Sequence, residues 1–442
     1  MNEPLTIQEA PASYLVMLDS QRVSQGYKQT EVGVIPEDWD VVKLGNIGEC
    51  LIGLTYKPSN IKADGTLVLR SSNVQDSLLS FDDNVYVDAD IPQQIRVIDG
   101  DILVCVRNGS RTLIGKCALL DKRVVGQTFG AFMSVYRTAS SAYIFQQFQS
   151  ALIKRQITEN IGATINQITN RNLNSFKVPF PTDDKEREAI TTALSDVDAL
   201  LAAQDRFIAK KRDIKQATMQ QLLTGKQRLP GFTGEWGVKT LGDLFTFSGG
   251  YSASREQLSI EGHCYLHYGD IHGSSKTSID TQVDFQDIPK LNIPLKQVST
   301  KSLLKDGDVV FVDASEDDAG TSKHVVVVNR YNLPFISGLH TIVAKSKTDE
   351  LSYEYRHYCF QTLAIRQQFL FYAVGTKVSG INKTNISKLT LPIPAVPEQI
   401  AIATVLSDID AELAALEQQR DKTHALKQGM MQQLLTGKTR LI

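Results

Sequence analysis

The chain has 442 residues, of which 42% are hydrophobic and 22% charged, and its formal net charge is −2 at pH 7. A chain of this length exceeds the size at which single hydrophobic cores stop growing, so several domains are expected, and no apolar run approaches membrane-spanning length. The near-neutral charge argues against tight DNA binding by this chain alone, because dedicated DNA-binding proteins are usually strongly basic.

The N-terminal segment has neither a basic leader nor a long apolar core. Residues 1–26 are therefore predicted to be a tail or a short docking helix rather than a secretory signal. The number of cysteines is odd and their spacing is scattered, which favours reduced thiols and a cytoplasmic location. They are Cys50, Cys105, Cys117, Cys264 and Cys359.

Residues 27–182 are predicted to form a first mixed domain. Short β-rich runs such as GTLVLRSSNV and DGDILVCVRNGS alternate with turns, and a helical pattern follows from Tyr143 to Ile161. Residues 183–228 then have apolar positions every three or four residues, which predicts one long helix. Asp183 or Asp184 is its expected N-cap.

The same order of elements recurs in the second half. Residues 229–394 are predicted to form a second mixed domain, which includes a helical pattern from Tyr353 to Tyr372. Residues 395–442 are predicted to form a second long helix, opened by Pro397 and Glu398, as helix starts favour.

An internal repeat links the two halves. MQQLLTGKQRL begins at Met219, and MQQLLTGKTRL begins 212 residues later at Met431. LSDVDALLAA and LSDIDAELAA recur at the same offset, so the chain contains two copies of one structural unit. The segment that follows the first copy and contains Trp236 matches a segment near the N-terminus that contains Trp39. The repeat is therefore circularly arranged, and the chain is predicted to close into a ring of approximate two-fold symmetry if its ends meet.

The two long helices are near-copies, whereas the two mixed domains share only a skeleton of glycine, aspartate and strand positions. This contrast favours one scaffold that holds two different readers. Each helix is too long to be buried by its own domain, so an antiparallel pairing of the two is predicted. Gln204, Lys211 and Lys215 interrupt the apolar stripe, which indicates a partly polar seam.

These features resemble the specificity subunit of type I restriction–modification systems. The resemblance rests on the paired VIPEDW and GFTGEW segments, the VPFP and LPIP prolines, the paired LSD helices and the LLTGK ends. It implies an α+β fold in which two β-rich target-recognition domains are separated by two long antiparallel helices, in a pseudo-two-fold circular repeat. It also implies that each domain reads one half of a split double-stranded DNA site.

The resemblance further implies which molecules assemble on the chain and where the chemistry lies. The chain itself would have no catalytic residue, cofactor or metal. It would recruit two methyltransferase subunits, which use S-adenosylmethionine to methylate an adenine in each half-site. Restriction subunits, which act as ATP- and Mg²⁺-dependent translocating nucleases, would then join the assembly.

Polar loops between strand-like runs are the candidate DNA contacts, since base edges are read by such side chains. In the first domain they are Arg70, Ser71, Ser72, Asn73, Arg107, Asn108, Ser110, Arg111, Gln127 and Thr128. In the second domain they are Tyr268, Asp270, His272, Asp313, Ser315, Glu316, Ser322, Lys323, His324 and His340. Residues predicted to track phosphates are Thr164, Asn166, Gln167, Lys377 and Ser379.

Enzymatic motifs are incomplete. The GKT at Gly437 lacks the earlier glycine of a phosphate-binding loop, and NLPF at Asn332 resembles an adenine-methyltransferase motif without its glycine-rich cofactor loop, so a turn before a strand is expected there. His263, Cys264, His267 and His272 lack a paired downstream cluster, so no zinc site is expected.

Two rival hypotheses remain. The chain could be a degenerate methyltransferase or nuclease, which weak methylation by the purified protein alone would support. It could instead be a coiled-coil scaffold whose mixed domains bind proteins. Failure to enrich any DNA sequence, even with a methyltransferase partner present, would favour the scaffold.

Overall fold

The computed structural model describes residues 23–162, 166–272, 276–315, 323–373 and 379–441. The chain divides into two compact units. Unit 1 comprises Met1–Gln204 together with Gln419–Ile442, and unit 2 comprises Asp205–Gln418. Each unit combines β-sheets with short helices and with part of each long helix, so the predicted α+β class with two β-rich domains is confirmed.

Unit 1 contains two four-stranded sheets. The first sheet is antiparallel throughout and has the strand order Cys117–Leu119, Ile102–Cys105, Met133–Arg137, Glu49–Ile52. The second sheet has the order Thr128–Phe129, Thr66–Leu69, Tyr86–Val87, Ile61–Lys62, and its first pair is parallel. The two-stranded pairs are Tyr27–Thr30 with Gly33–Pro36, Trp39–Lys43 with Lys177–Pro181, and Val74–Gln75 with Leu78–Leu79.

The strand Ile102–Cys105, one of the two inner strands of the first sheet, is buried on both faces. Its unbroken apolar sequence ILVC is typical of such a strand. Ile102 and Val104 pack into a core with the short helices and the long-helix ends. Leu103 and Cys105 point the other way, into a core shared with the second sheet. Unit 1 is therefore layered as helices, first sheet and second sheet.

The short helices of unit 1 differ from the sequence expectation in one respect. The single helix predicted from Tyr143 to Ile161 is two helices, because Ser150 adopts an extended conformation and its hydroxyl accepts a hydrogen bond from the Ile153 amide. The helices are Leu44–Ile47, Ser141–Gln149, Ala151–Asn160 and Asn170–Ser175. Single 3₁₀ turns span Pro58–Asn60, Ser71–Asn73, Gln93–Ile95, Arg111–Leu113 and Lys122–Val124.

Unit 2 repeats the two-sheet arrangement, with one strand more in its first sheet. Its first sheet has the order Phe245–Gly249, Thr341–Ser346, Val309–Val312, His324–Val328, Ser278–Asp280. Its second sheet has the order Leu258–Ser259, Lys290–Leu291, His263–Leu266, Phe335–Ser337, with the last pair parallel. The two-stranded pairs are Gly237–Thr240 with Thr390–Ile393 and Ala314–Ser315 with Ser379–Gly380.

The helical pattern predicted from Tyr353 to Tyr372 is also interrupted. Thr362 is extended, and its hydroxyl caps the following helix at the Ile365 amide. The short helices of unit 2 are Leu241–Leu244, Tyr268–His272, Tyr353–Arg356, Leu363–Tyr372 and Lys383–Ile386. Its 3₁₀ turns are Arg255–Gln257, Leu295–Gln297, Thr300–Ser302 and Cys359–Gln361.

The two long helices run from Asp184 to Leu222 and from Val396 to Leu434, 39 residues each, or about 58 Å at 1.5 Å per residue. The first is shorter than the predicted span of residues 183–228. It stops three residues before Gly225, whose φ of +68° suits the left-handed position after a helix. None of the helices in the described part of the chain is both long enough and apolar enough to cross a membrane.

Polar pairs join the two long helices within each unit, and their order shows that the helices are antiparallel there. In unit 1, Asp198 pairs with Lys427 (2.6 Å) and Gln204 donates to Thr423 (3.3 Å). In unit 2, Lys211 pairs with Glu412 (2.7 Å) and Lys215 with Asp410 (2.5 Å). The predicted antiparallel pairing and its partly polar seam are confirmed within each unit.

The N-terminal and C-terminal parts of the described chain meet inside unit 1. The Tyr27 hydroxyl donates to the Gly437 carbonyl (3.1 Å), and Arg440 pairs with Asp38 (2.8 Å). Arg440 also pairs with the buried Glu186 (2.5 Å), which accepts a hydrogen bond from the Trp39 indole. The condition on which the predicted ring depends, that the ends of the repeat meet, is therefore fulfilled within unit 1.

Unit 2 contains the same triad. Glu398 is buried, accepts from the Trp236 indole (3.1 Å) and pairs with Arg228 (2.5 Å). In unit 2 all three residues come from one continuous stretch of chain. In unit 1 the tryptophan and the glutamate come from the N-terminal half, and the arginine comes from the C-terminal end. The circular repeat read from the sequence is thus present in the contacts of both units.

Candidate nucleic-acid interface

Three of the loops predicted from the sequence meet in unit 1. The Asn108 side chain donates to the Ser71 hydroxyl (3.2 Å), and the Asn166 side chain donates to the Gly109 carbonyl (2.9 Å). Arg107 forms an antiparallel bridge with Gln167. Residues 70–73, 107–111, 132 and 166–167 are called the unit 1 loop cluster below. It brings together side chains that lie far apart in the sequence.

The three arginines of the unit 1 loop cluster have different partners. Arg70 pairs with Asp83 (2.8 Å), and Arg111 lies 3.5 Å from the Thr158 carbonyl. The Arg107 guanidinium lies over the exposed Phe132 ring, 4.9 Å from its centroid. Ser110 is exposed, with its hydroxyl 2.8 Å from that of Thr112, whereas the Ser72 hydroxyl is buried.

Other predicted residues of unit 1 have structural contacts instead. Asn73 is fully buried, and its side chain bonds the Arg70 amide and the Ser80 carbonyl. Thr128 is also fully buried and donates to the Ile95 carbonyl. Gln127 accepts a hydrogen bond from the Leu67 amide (2.7 Å). The sequence expectation that these three are exposed loop contacts is wrong for Asn73 and Thr128, because polar side chains in buried turns satisfy backbone groups.

A second cluster forms at the corresponding place in unit 2. His340 is exposed, and its Nδ1 lies 3.3 Å from the Asp313 carboxylate. The Tyr268 ring packs edge-on against His340, with 5.5 Å between the ring centroids. Residues 267–270, 313–315, 340 and 379–380 are called the unit 2 loop cluster below. Burial raises the pKa of the Asp313 carboxyl and lowers the pKa of His267.

The remaining predicted residues of unit 2, together with Thr164 of unit 1, fall into four groups. Asp270 accepts from the His267 amide (3.1 Å), and Lys323 donates to the His272 carbonyl. His324 is buried against the Phe311 and Phe360 rings, so its expected place in an exposed loop is wrong. Ser315 and Ser379 pair through their backbones. Four predicted residues lie outside the described residues: Thr164, Glu316, Ser322 and Lys377.

The two loop clusters share one backbone arrangement. The Phe132 carbonyl accepts from the amides of Val106 and Arg107, as the His340 carbonyl accepts from the Asp313 amide. The matching hydrogen bonds are Ile168 to Val106 in unit 1 and Ile381 to Asp313 in unit 2. The strand pairing extends the match: Arg107 faces Gln167 as Ala314 faces Gly380.

The first turn within each cluster is also shared. The Arg70 amide donates to the Asn73 side chain as the His267 amide donates to the Asp270 side chain. The equivalent positions are therefore Arg70 and His267, Ser71 and Tyr268, Arg107 and Ala314, Asn108 and Ser315, and Phe132 and His340. The backbones match, but the side chains differ at every one of these positions.

Sequence reasoning missed Phe132 and His267. Phe132 was overlooked because an aromatic residue beside a strand is usually part of the core. Its alignment with His340 through the repeat could have identified it. Elsewhere, Asn332 lies in a turn with φ of +51° before the strand Phe335–Ser337, as expected for the NLPF segment. Across the described ranges, no group of three or more histidine, cysteine or acidic side chains could hold a metal ion.

Comparison with known families decides the family of the chain. The sequence profile described as the type I restriction modification DNA specificity domain matches residues 36–208 and 233–423, which is more than half of the chain. The chain belongs to this family. The prediction of a DNA-recognition subunit of a type I restriction–modification system is confirmed.

Individual specificity subunits are similar over nearly their whole length. A Methanocaldococcus jannaschii protein provisionally named as the MjaX specificity subunit is 26% identical, over 94% of this chain and 97% of its own. The EcoKI specificity subunit of Escherichia coli K12 is 24% identical, over 91% of this chain and 89% of its own. The similarity therefore includes both units and both long helices.

Solved structures of type I systems share the fold. A chain from a study of complex assembly and conformational transition of the type I R-M system gives a TM-score of 0.54 at 17% identity, covering 92% of this chain and 99% of that one. The type I S subunit from M. genitalium gives 0.51 at 13% identity, covering 90% and 96%. At these identities the likeness concerns the fold alone.

Proposed function

We propose that each unit of this specificity subunit reads one half of a bipartite DNA site through its loop cluster. The observation that carries the proposal is the shared backbone arrangement with different side chains, Arg107 and Phe132 against Ala314 and His340. A common scaffold would place both clusters against DNA in the same way. Different side chains would then select different bases, so the full site would be asymmetric.

The chemistry of the clusters supports base reading. Arginine, asparagine and serine side chains recognise base edges in the major groove, and a carboxylate can accept from cytosine. The unit 1 loop cluster offers the Arg107 guanidinium and the Asn108 amide, and the unit 2 loop cluster offers His340 beside the Asp313 carboxylate. Asn166, Gln167 and Ser379, which precede the helices Asn170–Ser175 and Lys383–Ile386, would contact phosphates.

We also propose that the long helices dock two methyltransferase subunits. Each unit leaves large apolar side chains exposed on these helices: Leu200 (50%) and Leu426 (58%) in unit 1, and Phe207 (46%) and Ile214 (43%) in unit 2. Exposed apolar side chains on a soluble helix favour a protein partner. Ile214 and Leu426 occupy equivalent positions of the repeat, 212 residues apart, so the same kind of partner would bind twice.

The proposed subunit has no catalysis of its own. S-adenosylmethionine would bind in the methyltransferase partner, and ATP and Mg²⁺ in the restriction partner. The formal net charge of −2 supports this division, since phosphate neutralisation would then come largely from the partners. All five cysteines are free thiols, which suits a reducing compartment such as the cytoplasm.

The test is co-expression with the neighbouring methyltransferase gene, followed by genome-wide mapping of methylated adenines. We expect methylation at one split, asymmetric site, and none from the purified chain alone with S-adenosylmethionine. Methyl marks within one continuous short sequence would contradict two separate readers. Methylation by the chain alone would favour a degenerate methyltransferase, and failure to enrich any DNA sequence with the partner present would favour a scaffold.

A further inference from the structure

Arg107 differs from the other arginines of the unit 1 loop cluster in how its guanidinium is held. Arg70 has a carboxylate partner in Asp83, and Arg111 approaches a backbone carbonyl. Within the described residues, Arg107 has no ion pair, and its guanidinium rests on the face of Phe132, 4.9 Å from the ring centroid. A guanidinium held over a ring face spends none of its N–H groups on a carboxylate or a carbonyl, so these donors remain available.

The supporting ring is itself positioned by the fold. Phe132 precedes the strand Met133–Arg137, and its carbonyl accepts from the Arg107 amide (3.1 Å). The side chain is 57% exposed, so it is not part of a hydrophobic core and its ring face is available to the Arg107 guanidinium. An arginine held in this way loses little rotamer freedom when it binds, which strengthens the discrimination that its hydrogen bonds provide.

We propose that Arg107 is a specificity-determining residue of unit 1 and that it reads a guanine, with Phe132 as its positioning residue. The proposal rests on the proposed function of unit 1 as a half-site reader. The two in-plane N–H groups of an arginine match the O6 and N7 acceptors of guanine in the major groove, the commonest specific contact between proteins and DNA. Ala314 occupies the equivalent backbone position of unit 2, and an alanine has no side-chain donor, so unit 2 reads its bases by other means.

The first test compares methylation motifs of complexes that contain the wild-type chain, Arg107→Ala, Arg107→Lys and Phe132→Leu. We expect Arg107→Ala to lose guanine preference by roughly 10- to 100-fold at a single position of one half-site. Arg107→Lys should keep a weaker preference, because an ammonium makes no fork. Phe132→Leu should weaken preference at the same position. The other half-site should stay unchanged in all three variants.

Arg123 provides the matched control. It is also exposed and also lies over a phenylalanine ring, at 5.4 Å from the centroid of Phe81, but its guanidinium is committed to Asp121 (2.7 Å). Arg123→Ala should therefore leave the motif as it is in the wild type. Relaxation by Arg123→Ala as large as that by Arg107→Ala would show that the effect is not specific to the proposed contact.

A second measurement is independent of methylation by the variants. The wild-type complex is bound to duplexes in which each guanine of the site is replaced in turn by 7-deazaguanine, which lacks the N7 acceptor. One replacement should weaken wild-type binding several-fold and should have little effect on Arg107→Ala, even if that variant no longer methylates.

The outcomes separate the two proposals. If the wild-type complex methylates no split site, the proposed function fails. If it does, but no guanine shows the 7-deaza effect, or the effect persists in Arg107→Ala, the assignment of Arg107 fails alone. Relaxation at a position that is not a guanine, or in both half-sites together, would also overturn it.

Discussion

A buried glutamate opens each long helix and fixes the neighbouring segment to it. Glu186 and Glu398 are both nearly inaccessible to solvent, and each has an indole N–H and a guanidinium as partners. Burial of a carboxylate is unfavourable unless hydrogen bonds and an opposite charge compensate it. The arginines also lie over the indoles, Arg440 at 5.7 Å from Trp39 and Arg228 at 5.5 Å from Trp236. The chain has only two tryptophans, one in each triad.

This arrangement predicts a local loss of stability when the charge is removed. Glu186→Gln should lower the free energy of unfolding of unit 1 by about 2–3 kcal/mol, somewhat less than a fully buried pair because Arg440 keeps Asp38 and some solvent contact. Urea unfolding would be followed by Trp39 fluorescence in a Trp236→Phe background. Glu188→Gln, an exposed substitution in the same turn, is the control and should change the free energy by less than about 0.5 kcal/mol. Equal effects of the two would contradict the triad's role.

The sequence could not distinguish these buried roles from ordinary surface roles. Glu398 was expected to favour the helix start through its charge, a role that many exposed glutamates have. Asn73, Thr128 and His324 were expected in exposed loops because they are polar, yet tertiary contacts bury them. Phe132 was overlooked because it is apolar, yet it is exposed. Polarity predicts burial only on average, and the exceptions depend on contacts between distant segments.

At the scale of elements, the repeat predicted the long helices and their pairing well. Their sequences are periodic over many turns, and their seam contacts recur in both units: Lys427 pairs with Asp198 as Lys215 pairs with Asp410. The breaks at Ser150 and Thr362 were not predicted, since one serine or threonine within an apolar period is compatible with a continuous helix. Only the observed cap geometry shows that the helices stop there.

The helices are expected to set the unread gap of the site. Four helix-forming residues inserted after Gln204, with four more inserted after Gln418, lie where the chain divides into its two units, so the seam pairs within each unit should keep their register. The insertion adds about 6 Å and turns the helix by about 40°. One base pair adds about 3.4 Å and about 35°, so we expect the gap to grow by one base pair and both half-sites to stay unchanged.

Methylated-adenine mapping of the double insertion measures the gap directly. Insertion into one long helix alone is the comparison. It should reduce activity, because the residues of the lengthened helix no longer lie opposite their partners on the other long helix. An unchanged gap with full activity in the double insertion would show that the helices do not determine the spacing.

At the scale of the molecule, each unit carries its own loop cluster, so we expect the two half-sites to be read independently. Replacing residues 229–394 with the segment of a homologue should change one half of the recognised site, because readout is local to the contacted bases. The donor segment needs a tryptophan at the position of Trp236, since Arg228 and Glu398 of its triad lie outside the exchanged range. Replacing residues 27–182 should change the other half.

The methylation motif of each exchange variant is the measurement that tests this independence. An exchange of residues 183–228 is the control, and it should change neither half-site. If either domain exchange altered both half-sites together, the readers would not be independent.

The meeting of distant segments inside unit 1 affects the order in which the protein is made. Unit 2 is one continuous stretch of chain, whereas unit 1 needs Arg440 to pair with Asp38, 402 positions earlier. At about 5–20 residues per second, a ribosome needs roughly 20–80 s to produce the residues between them. Until Arg440 is made, Glu186 has no arginine partner, and until Gly437 is made, Tyr27 has no carbonyl to bond. Unit 1 is therefore begun first and completed last, so the nascent chain carries an incomplete unit 1 after all the residues of unit 2 have been made.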